Sequence, residues 1–315
     1  MKHARPRIAV TLGDPRGIGP EVVRKALADP DIAELAEWIL VGPEGTDVNQ
    51  AVLSVGLWQP GGPGDQAGRL AALAIERATS MALAGKVAAL VTAPIDKAAL
   101  SAAGWSQPGH TELLRDLAGV RDVAMMLAAD QTHFGTPLRV VLATTHLPLR
   151  SVPAALSPEL LVRQAHLTHR ALRGWWGIHE PRIALCAVNP HASDGGLFGD
   201  EEARVMEPAV RSLRGAGVQL FGPIPADTVF TRALRREFDA VIAPYHDVGM
   251  AAFKTVAFGR GVNVTLGLPF PRTSPDHGTA LDIAGRDVAD PASIKEAMRL
   301  AVRLAGGFDT LADSG

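Results

Sequence analysis

Three histidines in this chain share one local pattern, in which an apolar strand leads to small polar residues, a histidine and a turn. His246 follows the run EFDAVI, His146 follows LRVVLATT, and His191 follows PRIALCAVNP. Because the carboxyl ends of parallel strands share one edge of a sheet, we expect these imidazoles to lie near each other. Three converging neutral imidazoles make a divalent-metal site with open positions for water or substrate. For each histidine alone, a ring hydrogen-bonded to its neighbours is the alternative.

Other side chains are suited to an anionic ligand. Lys254, Asn263 and Arg272 offer cationic and amide donors, the chemistry needed to hold a phosphate and a carboxylate. The stretch QPGHTELL places His110 and Thr111 just before a helix that we expect to start around residue 112, where Thr111 is also a possible N-cap. Each donor alone is more often a surface residue, so the prediction depends on their density.

Two glycine-containing loops are candidates for cofactor binding. TLGDPRGIGPE, at residues 11–21, is a turn between a strand and a helix, and the backbone amides at such a helix start can receive an anion. It lacks the G-x-G-x-x-G spacing of a Rossmann site, and tight packing is its alternative role. In DHGTALDIAG, Asp282 is suited to accept hydrogen bonds from ribose hydroxyls.

The elements that must position these residues alternate between strand and helix. RIAVTL, EWILVG and VAALVTAP have strand character, whereas EVVRKALA and RLAALAIERATSMALAG have helical patterns. This alternation predicts α/β layers with a largely parallel sheet. LWQPGGPGDQAG, near residues 57–68, is interpreted as a loop. A chain of 315 residues is long enough for two domains.

Composition narrows the class of protein. Hydrophobic residues make up 47% and charged residues 20% of the chain, which is typical of a compact globular protein. A net charge of -2 gives no electrostatic footprint for nucleic acid or an anionic membrane. The single cysteine, Cys186, suits a reducing compartment, and MKHARPRIAV leads directly into a strand. We therefore expect a cytoplasmic protein with no membrane span.

The ordered motifs resemble one enzyme family over nearly the whole chain, from Ile8 to about Asp290. The motifs are GDPRGIGPE, VTAPIDK, GHTE, ATTHLPLR, NPHASDGGLFG, GPIPADTVF, YHD, FGRGVNVTLGLPFPRTS and DHGTALDIAG. Together they resemble the 4-hydroxythreonine-4-phosphate dehydrogenase family of pyridoxal phosphate biosynthesis. The resemblance implies an isocitrate/isopropylmalate dehydrogenase-like fold, with two α/β/α domains around a cleft. It also implies a homodimer whose active site lies at the subunit interface.

The resemblance also assigns domains and site residues. Residues 1–125 with 265–315 would form a terminal domain on the cofactor side, and 126–264 a central domain with metal ligands and dimer contacts. The implied metal ligands are His146, His191 and His246. The implied substrate contacts are His110, Thr111, Lys254, Asn263 and Arg272. The implied cofactor contacts, in DHGTALDIAG, are His277, Gly278, Thr279 and Asp282.

The implied reaction is a metal-dependent, NAD- or NADP-linked oxidation of 4-phosphohydroxy-L-threonine at its secondary alcohol. Decarboxylation then gives 3-amino-2-oxopropyl phosphate, and the divalent metal is Zn, Mg or Co. We take Lys254 and Asp247 as the candidates for proton transfer. Arg272, Lys254 and His110 would hold the anionic ends of the substrate.

Departures from the family pattern leave alternatives open. Val248 stands where Gln is usual, Arg16 replaces a small residue, NPHASDGG replaces NPHAGEGG, and the chain is short between Gly42 and Arg69. A dehydrogenase of 4-phospho-D-threonate or 4-phospho-D-erythronate remains an alternative, as do a non-catalytic relative and a metal hydrolase. A terephthalate dihydrodiol as substrate is disfavoured, because GHTE and GVNVTLGLPFPRTS are intact.

Overall fold

The computed structural model describes residues 5–312, in which strands and helices alternate as the sequence predicts. The strands are β1 (Arg7–Thr11), β2 (Glu37–Glu44), β3 (Val52–Leu57), β4 (Ala89–Thr92), β5 (Ala124–Ala129), β6 (Leu138–Leu142), β7 (Arg182–Cys186), β8 (Gln219–Ile224), β9 (Ala240–Ala243), β10 (Val262–Leu266) and β11 (Arg272–Pro275). The helices are α1 (Gly19–Leu27), α2 (Pro30–Ala33), α3 (Gly64–Leu83), α4 (Lys97–Ala102), α5 (His110–Ala118), α6 (Val152–Ala155), α7 (Pro158–Gly174), α8 (Glu207–Leu213), α9 (Ala226–Leu234), α10 (His246–Ala257) and α11 (Ala292–Ala312). None of the helices in the described range is long and apolar enough to cross a membrane.

The chain forms two compact units. Residues up to Val123 and from Val262 onward form the terminal unit, and Ala124–Gly261 form the central unit. The sequence-based boundaries, after residues 125 and 264, lie within a few residues of these divisions.

In the terminal unit the strand order is β3-β2-β1-β4-β11-β10. All neighbours pair in parallel except β10 and β11, which are antiparallel. Strands β1 and β4 are almost entirely buried, as expected for parallel strands covered by helices on both faces. Helix α3 packs Ile75 against Val41 of β2 and Leu90 of β4 in the core.

In the central unit the order is β5-β6-β9-β7-β8. Strands β6, β9, β7 and β8 pair in parallel, and only β5 at the edge runs antiparallel. The core joins Val140, Ala184 and Val241 of three neighbouring strands to Val229 of α9 and Phe253 of α10. The carboxyl ends of β6, β9 and β7 therefore meet at one edge, as the histidine pattern predicts.

Two local expectations need correction. Helix α5 begins at His110, two residues before the expected start, and its N-cap is Gly109 rather than Thr111. The loop expected at residues 57–68 ends sooner, because α3 already begins at Gly64. The region that is short relative to the family nevertheless contains strand β3.

Candidate active site

Two of the three histidines come together at the carboxyl edge of the central unit. His146 follows β6 in a loop, and His246 is the first residue of α10, directly after β9. Their ring centroids are 5.4 Å apart, with a 42° angle between the ring planes. Two imidazoles that share a tetrahedral metal at about 2.1 Å have centroids about 5 Å apart. The spacing of this imidazole pair, His146 and His246, therefore suits joint ligation of one ion.

Asp247 orients one ring of the imidazole pair. Its Oδ1 lies 2.7 Å from Nδ1 of His246, while its side chain is 88% exposed. A carboxylate that accepts a hydrogen bond from one ring nitrogen leaves the other as a lone-pair ligand. The geometry thus favours Nε2 of His246 as the metal-facing nitrogen, which is a common arrangement around histidine-bound metals.

His191 lies after β7 as predicted, but in a distorted turn. The segment Pro190–Gly196 has left-handed backbone angles, with φ of 53° at His191, 54° at Ala192, 70° at Ser193 and 43° at Asp194. A left-handed conformation costs a non-glycine residue about 1–2 kcal/mol. Such strain persists only where surrounding contacts hold it, and it clusters at functional sites.

Glu202 supplies contacts that hold this turn. Only 2% of it is exposed, and its Oε1 accepts hydrogen bonds from the backbone amides of Val188 at 2.9 Å and Asn189 at 2.7 Å. Its Oε2 accepts from Nδ2 of Asn189 at 2.9 Å and from the hydroxyl of Ser193. Burial alone would raise the pKa of Glu202, but the hydrogen bonds from Asn189 and Ser193 outweigh it and lower the pKa.

Within one chain, the side chains present therefore supply part of the predicted metal site. Across residues 5–312, no group of three or more His, Cys, Asp or Glu side chains is arranged to hold a metal ion. The imidazole pair can supply two ligands, and His191 is not gathered with it. The three-histidine site stays a prediction.

The terminal unit contains a cluster of cationic and polar side chains around the buried Arg272. Arg272, at the start of β11, is 2% exposed and donates to Thr92 Oγ1 from Nε at 3.1 Å and to Thr265 Oγ1 from Nη1 at 3.0 Å. Burial lowers its pKa to about 9, so it remains charged at neutral pH. Within the described range, no carboxylate forms an ion pair with it. A buried charge without a counterion favours an anionic ligand.

His110 belongs to the same cluster. Burial lowers its pKa well below the ordinary value, and the positive charges of Arg272 and Lys97 lower it further. Its Nε2 is buried without a hydrogen-bond partner among the described residues. The ring also occupies the first turn of α5, where backbone amides and the helix dipole favour an anion. We call the group Arg272, His110 and Lys97, with Thr92 and Thr265, the anion pocket.

The remaining substrate candidates are distributed between the units. Thr111 follows His110 in the first turn of α5. Asn263 lies two residues before Thr265 on β10, so the two side chains point to the same face of the sheet. Lys254 lies in α10 of the central unit.

The two glycine-containing loops meet in the terminal unit. The amide of Ile18 donates to the carbonyl of Thr279 at 2.9 Å, and a Cβ on Gly17 would lie 2.7 Å from that oxygen. Beside them is a cavity of about 500 Å³, a size typical of small-molecule sites. Its walls include Arg16, Gly17, Arg24, Trp58, Ala284 and Gly285.

The predicted cofactor residues lie beside this cavity rather than in its wall. His277 keeps Nε2 buried without a partner in the described part of the chain, while Asp282 is exposed. Arg16, which departs from the family pattern, is held by Asp14, since its Nε and Nη2 donate to that carboxylate at 3.0 and 2.7 Å. The arginine at this position therefore binds a carboxylate of its own loop.

Sequence reasoning missed four contributors to these sites. They are Lys97, Thr92, Ser193 and Glu202. Lys97 and Thr92 belong to the quoted motif VTAPIDK, which was the available signal. No local signal identified Glu202, because its role depends on a turn that begins 14 residues earlier in sequence, at Val188.

Comparison with known proteins identifies the class. A family model described as pyridoxal phosphate biosynthetic protein PdxA matches residues 20–301. The 4-hydroxythreonine-4-phosphate dehydrogenase of Paracoccus denitrificans is 45% identical over 323 residues, covering 97% of this chain and 99% of that protein. The crystal structure of the enzyme of that name from Klebsiella pneumoniae matches with a TM-score of 0.85 and 39% identity, covering 96% of this chain and 99% of that one.

A second solved structure is less similar. The terephthalate 1,2-cis-dihydrodiol dehydrogenase of Burkholderia xenovorans has a TM-score of 0.68 and 30% identity, covering 95% of this chain and 98% of that one. The fold and these relatives define an α/β oxidoreductase of the isocitrate/isopropylmalate dehydrogenase-like kind, and dehydrogenases of this kind take a nicotinamide cofactor. The chain belongs to the family of the pyridoxal phosphate biosynthetic protein PdxA.

Proposed function

We propose that this enzyme oxidises the secondary alcohol of 4-phosphohydroxy-L-threonine in pyridoxal phosphate biosynthesis. Decarboxylation of the resulting β-keto acid gives 3-amino-2-oxopropyl phosphate. The relatives named for the 4-hydroxythreonine-4-phosphate substrate support this reaction, and the terephthalate dihydrodiol enzyme is less similar. The observation that carries the proposal is the anion pocket, where the buried guanidinium of Arg272 has no counterion among the described residues.

The anion pocket suits one anionic end of this substrate. Nη1 and Nη2 of Arg272 each donate one N–H to a threonine hydroxyl and carry a second N–H that an anion can accept, and His110 can place Nε2 on the same oxygen atoms. Thr111 and Asn263 add neutral donors at the start of α5 and on β10. Holding one end rigidly fixes the position of the reacting carbon. Lys254, in α10, is a further proposed substrate contact.

The imidazole pair would hold the divalent metal, together with His191. A bound ion supplies Lewis acidity at the substrate alcohol and at the carbonyl formed from it. Asp247 already accepts a hydrogen bond from His246, which supports an orienting role for that carboxylate. Of the two candidates for proton transfer, we therefore take Lys254 as the one that acts on the substrate hydroxyl.

The loops at the 500 Å³ cavity would bind the adenosine part of NAD or NADP, which supplies the hydride acceptor. The proposed contacts are His277, Gly278, Thr279 and Asp282, all in DHGTALDIAG. The unpartnered Nε2 of His277 and the exposed carboxylate of Asp282 support this role. The free cysteine buried in β7 supports a cytoplasmic location.

We also propose a homodimer with the active site at the subunit interface. One chain gathers only two of the three predicted metal ligands. Large apolar side chains beside His146 and His191 are exposed, among them Leu149 at 64% and Leu197 at 72%. An apolar surface around an incomplete site is what a subunit interface would cover.

The first experiment measures NADH formation by the purified protein with added divalent metal. 4-Phosphohydroxy-L-threonine and 4-phospho-D-threonate are compared as substrates, with His246→Ala as the test variant and the exposed His166→Ala as its control. We expect turnover that prefers the first substrate, disappears in His246→Ala and persists in His166→Ala. Preference for the second substrate, or full activity of His246→Ala, would overturn the substrate or the metal assignment respectively.

A further inference from the structure

The wall of the 500 Å³ cavity carries more negative than positive charge. Its charged side chains are two arginines and three carboxylates, namely Arg16, Arg24, Glu21, Asp47 and Asp287. Two positive and three negative groups leave a net charge of -1 when all are ionised. A sphere of this volume is about 10 Å across, which is no more than the Debye length at about 0.1 M salt. A charged group bound in the cavity therefore interacts with the whole wall.

Both arginines of the wall are already neutralised. Arg16 donates to the two carboxylate oxygens of Asp14 at 3.0 and 2.7 Å. Arg24 lies between two carboxylates, with Nη2 2.8 Å from Asp287 and Nε 3.3 Å from Asp47. Because each guanidinium has a carboxylate partner, neither offers a net positive charge to an anion that enters the cavity.

Asp287 binds the cations on one side of the cavity. Besides its contact with Arg24, its Oδ1 lies 3.2 Å from Nζ of Lys25, which also donates to Glu21 at 2.9 Å. The hydrogen bonds from Arg24 and Lys25 lower the pKa of Asp287, so its carboxylate is ionised at neutral pH. Its φ is 57°, a left-handed conformation that Asn also adopts. Asp287→Asn therefore changes the charge and keeps the backbone.

We propose that the carboxylates of this wall make the enzyme prefer NAD over NADP. The two cofactors differ by one phosphate on the adenosine ribose, which as a monoester carries about -1.5 to -2 charge at neutral pH. The pyrophosphate and the nicotinamide are common to both and cancel in the comparison. A negatively charged wall with neutralised arginines therefore acts only against NADP. The inference rests on the proposed binding of the adenosine part in this cavity.

Calorimetric titration with NAD and with NADP, without substrate or added metal, measures this preference apart from turnover. We expect NAD to bind about tenfold more tightly at low salt, because like charges brought together in one site weaken binding. The ratio of the two affinities should decrease as salt is raised, since exposed charges are screened. Equal or tighter binding of NADP at low salt would overturn the proposal.

Asp287→Asn tests which residues cause the preference. It removes one negative charge from the wall and releases Arg24 and Lys25 from that carboxylate. We expect the affinity for NADP to rise about threefold, a modest change because Asp287 is 65% exposed, with the affinity for NAD nearly unchanged. Asp200→Asn is the matched control, because it removes an exposed carboxylate in the central unit and should not alter the ratio.

Asp47→Asn is the second variant, and its 82% exposed side chain makes it safe for folding. It should also raise the affinity for NADP, and the double variant Asp47→Asn/Asp287→Asn should raise it further. If NAD binds and none of these variants changes the ratio, the assignment to the carboxylates is wrong while the proposed cofactor binding stands. If neither NAD nor NADP binds, the proposed cofactor binding is itself wrong, and the preference is refuted with it.

Discussion

The anion pocket and the imidazole pair differ in how completely one chain builds them. In the terminal unit, Arg272 is buried, held by two threonine hydroxyls and joined by His110 on a helix start. In the central unit, the imidazole pair lies on loops and helix ends, with Asp247 almost fully exposed. The comparison teaches that the proposed recognition of the substrate anion would be preorganised within the chain. The proposed metal site, in contrast, would depend on loop conformation and on contacts that a subunit interface would add.

Removal of the metal should have the largest effect and should separate the two regions. We expect a chelator to lower turnover more than a hundredfold, because the proposed Lewis acid supplies several kcal/mol of charge stabilisation. Binding of inorganic phosphate to the metal-free protein should persist, because the anion pocket needs no metal. Calorimetric titration with phosphate checks this, and loss of phosphate binding on chelation would show that the regions are not independent.

Arg272→Met should have the reverse effect of metal removal, because it changes the anion pocket and leaves the imidazole pair in place. Loss of charge-assisted hydrogen bonds worth about 1.5–3 kcal/mol each predicts a fall in kcat/KM of about a hundredfold. The melting temperature should change little, because removing a buried charge without a counterion offsets the lost threonine contacts. Steady-state kinetics and thermal unfolding are measured beside the exposed Arg260→Met. A large drop in stability with normal kcat/KM would make Arg272 a structural residue.

Asp247→Asn tests the exposed carboxylate beside the imidazole pair. The amide no longer provides a charged acceptor for His246, and we expect about tenfold weaker metal binding, as is typical for such partners. Stability should be unchanged because the side chain is exposed. Competition with a chromophoric chelator measures the affinity, and the exposed Asp200→Asn is the control. Equal affinity in the two variants would remove the orienting role of Asp247.

The pH dependence of stability gives the smallest expected effect. The lowered pKa of His110 means that the unfolded chain binds a proton there more readily than the folded one. The stability contribution is thus present above the unfolded pKa of about 6.5 and is lost as pH falls toward the folded value. We expect unfolding free energy to decrease below about pH 6.5 by up to ~1.4 kcal/mol per unit.

Chemical denaturation across this range should show the decrease, and His110→Gln should remove that part of it. His166→Gln, an exposed change, should leave the slope unaltered. Bound phosphate should raise the pKa of His110 and flatten the curve, since an adjacent anion favours the imidazolium. A slope that is the same in His110→Gln would assign the pH dependence to other groups.

Local patterns in the sequence correctly predicted the strands that precede the three histidines. The apolar runs before His146, His191 and His246 are β6, β7 and β9, and all three histidines follow the ends of parallel strands. The start of α5 was misplaced, because Gly109 at the cap carries none of the usual side-chain signals. The left-handed turn at Ser193 could not be recognised from the sequence, because its residues show neither the helical nor the strand periodicity of apolar side chains.

By itself, the sequence determined the alternation of strands and helices, the strand ends that carry histidines and the supply of cationic donors. These follow from periodicity and turn chemistry, which act over a few residues. Only the tertiary structure decided that Arg272 is buried beside His110, that Glu202 holds a turn beginning at Val188, and that His146 and His246 pair without His191. Burial, desolvation and convergence depend on which distant segments pack together, and that information is spread over the whole chain.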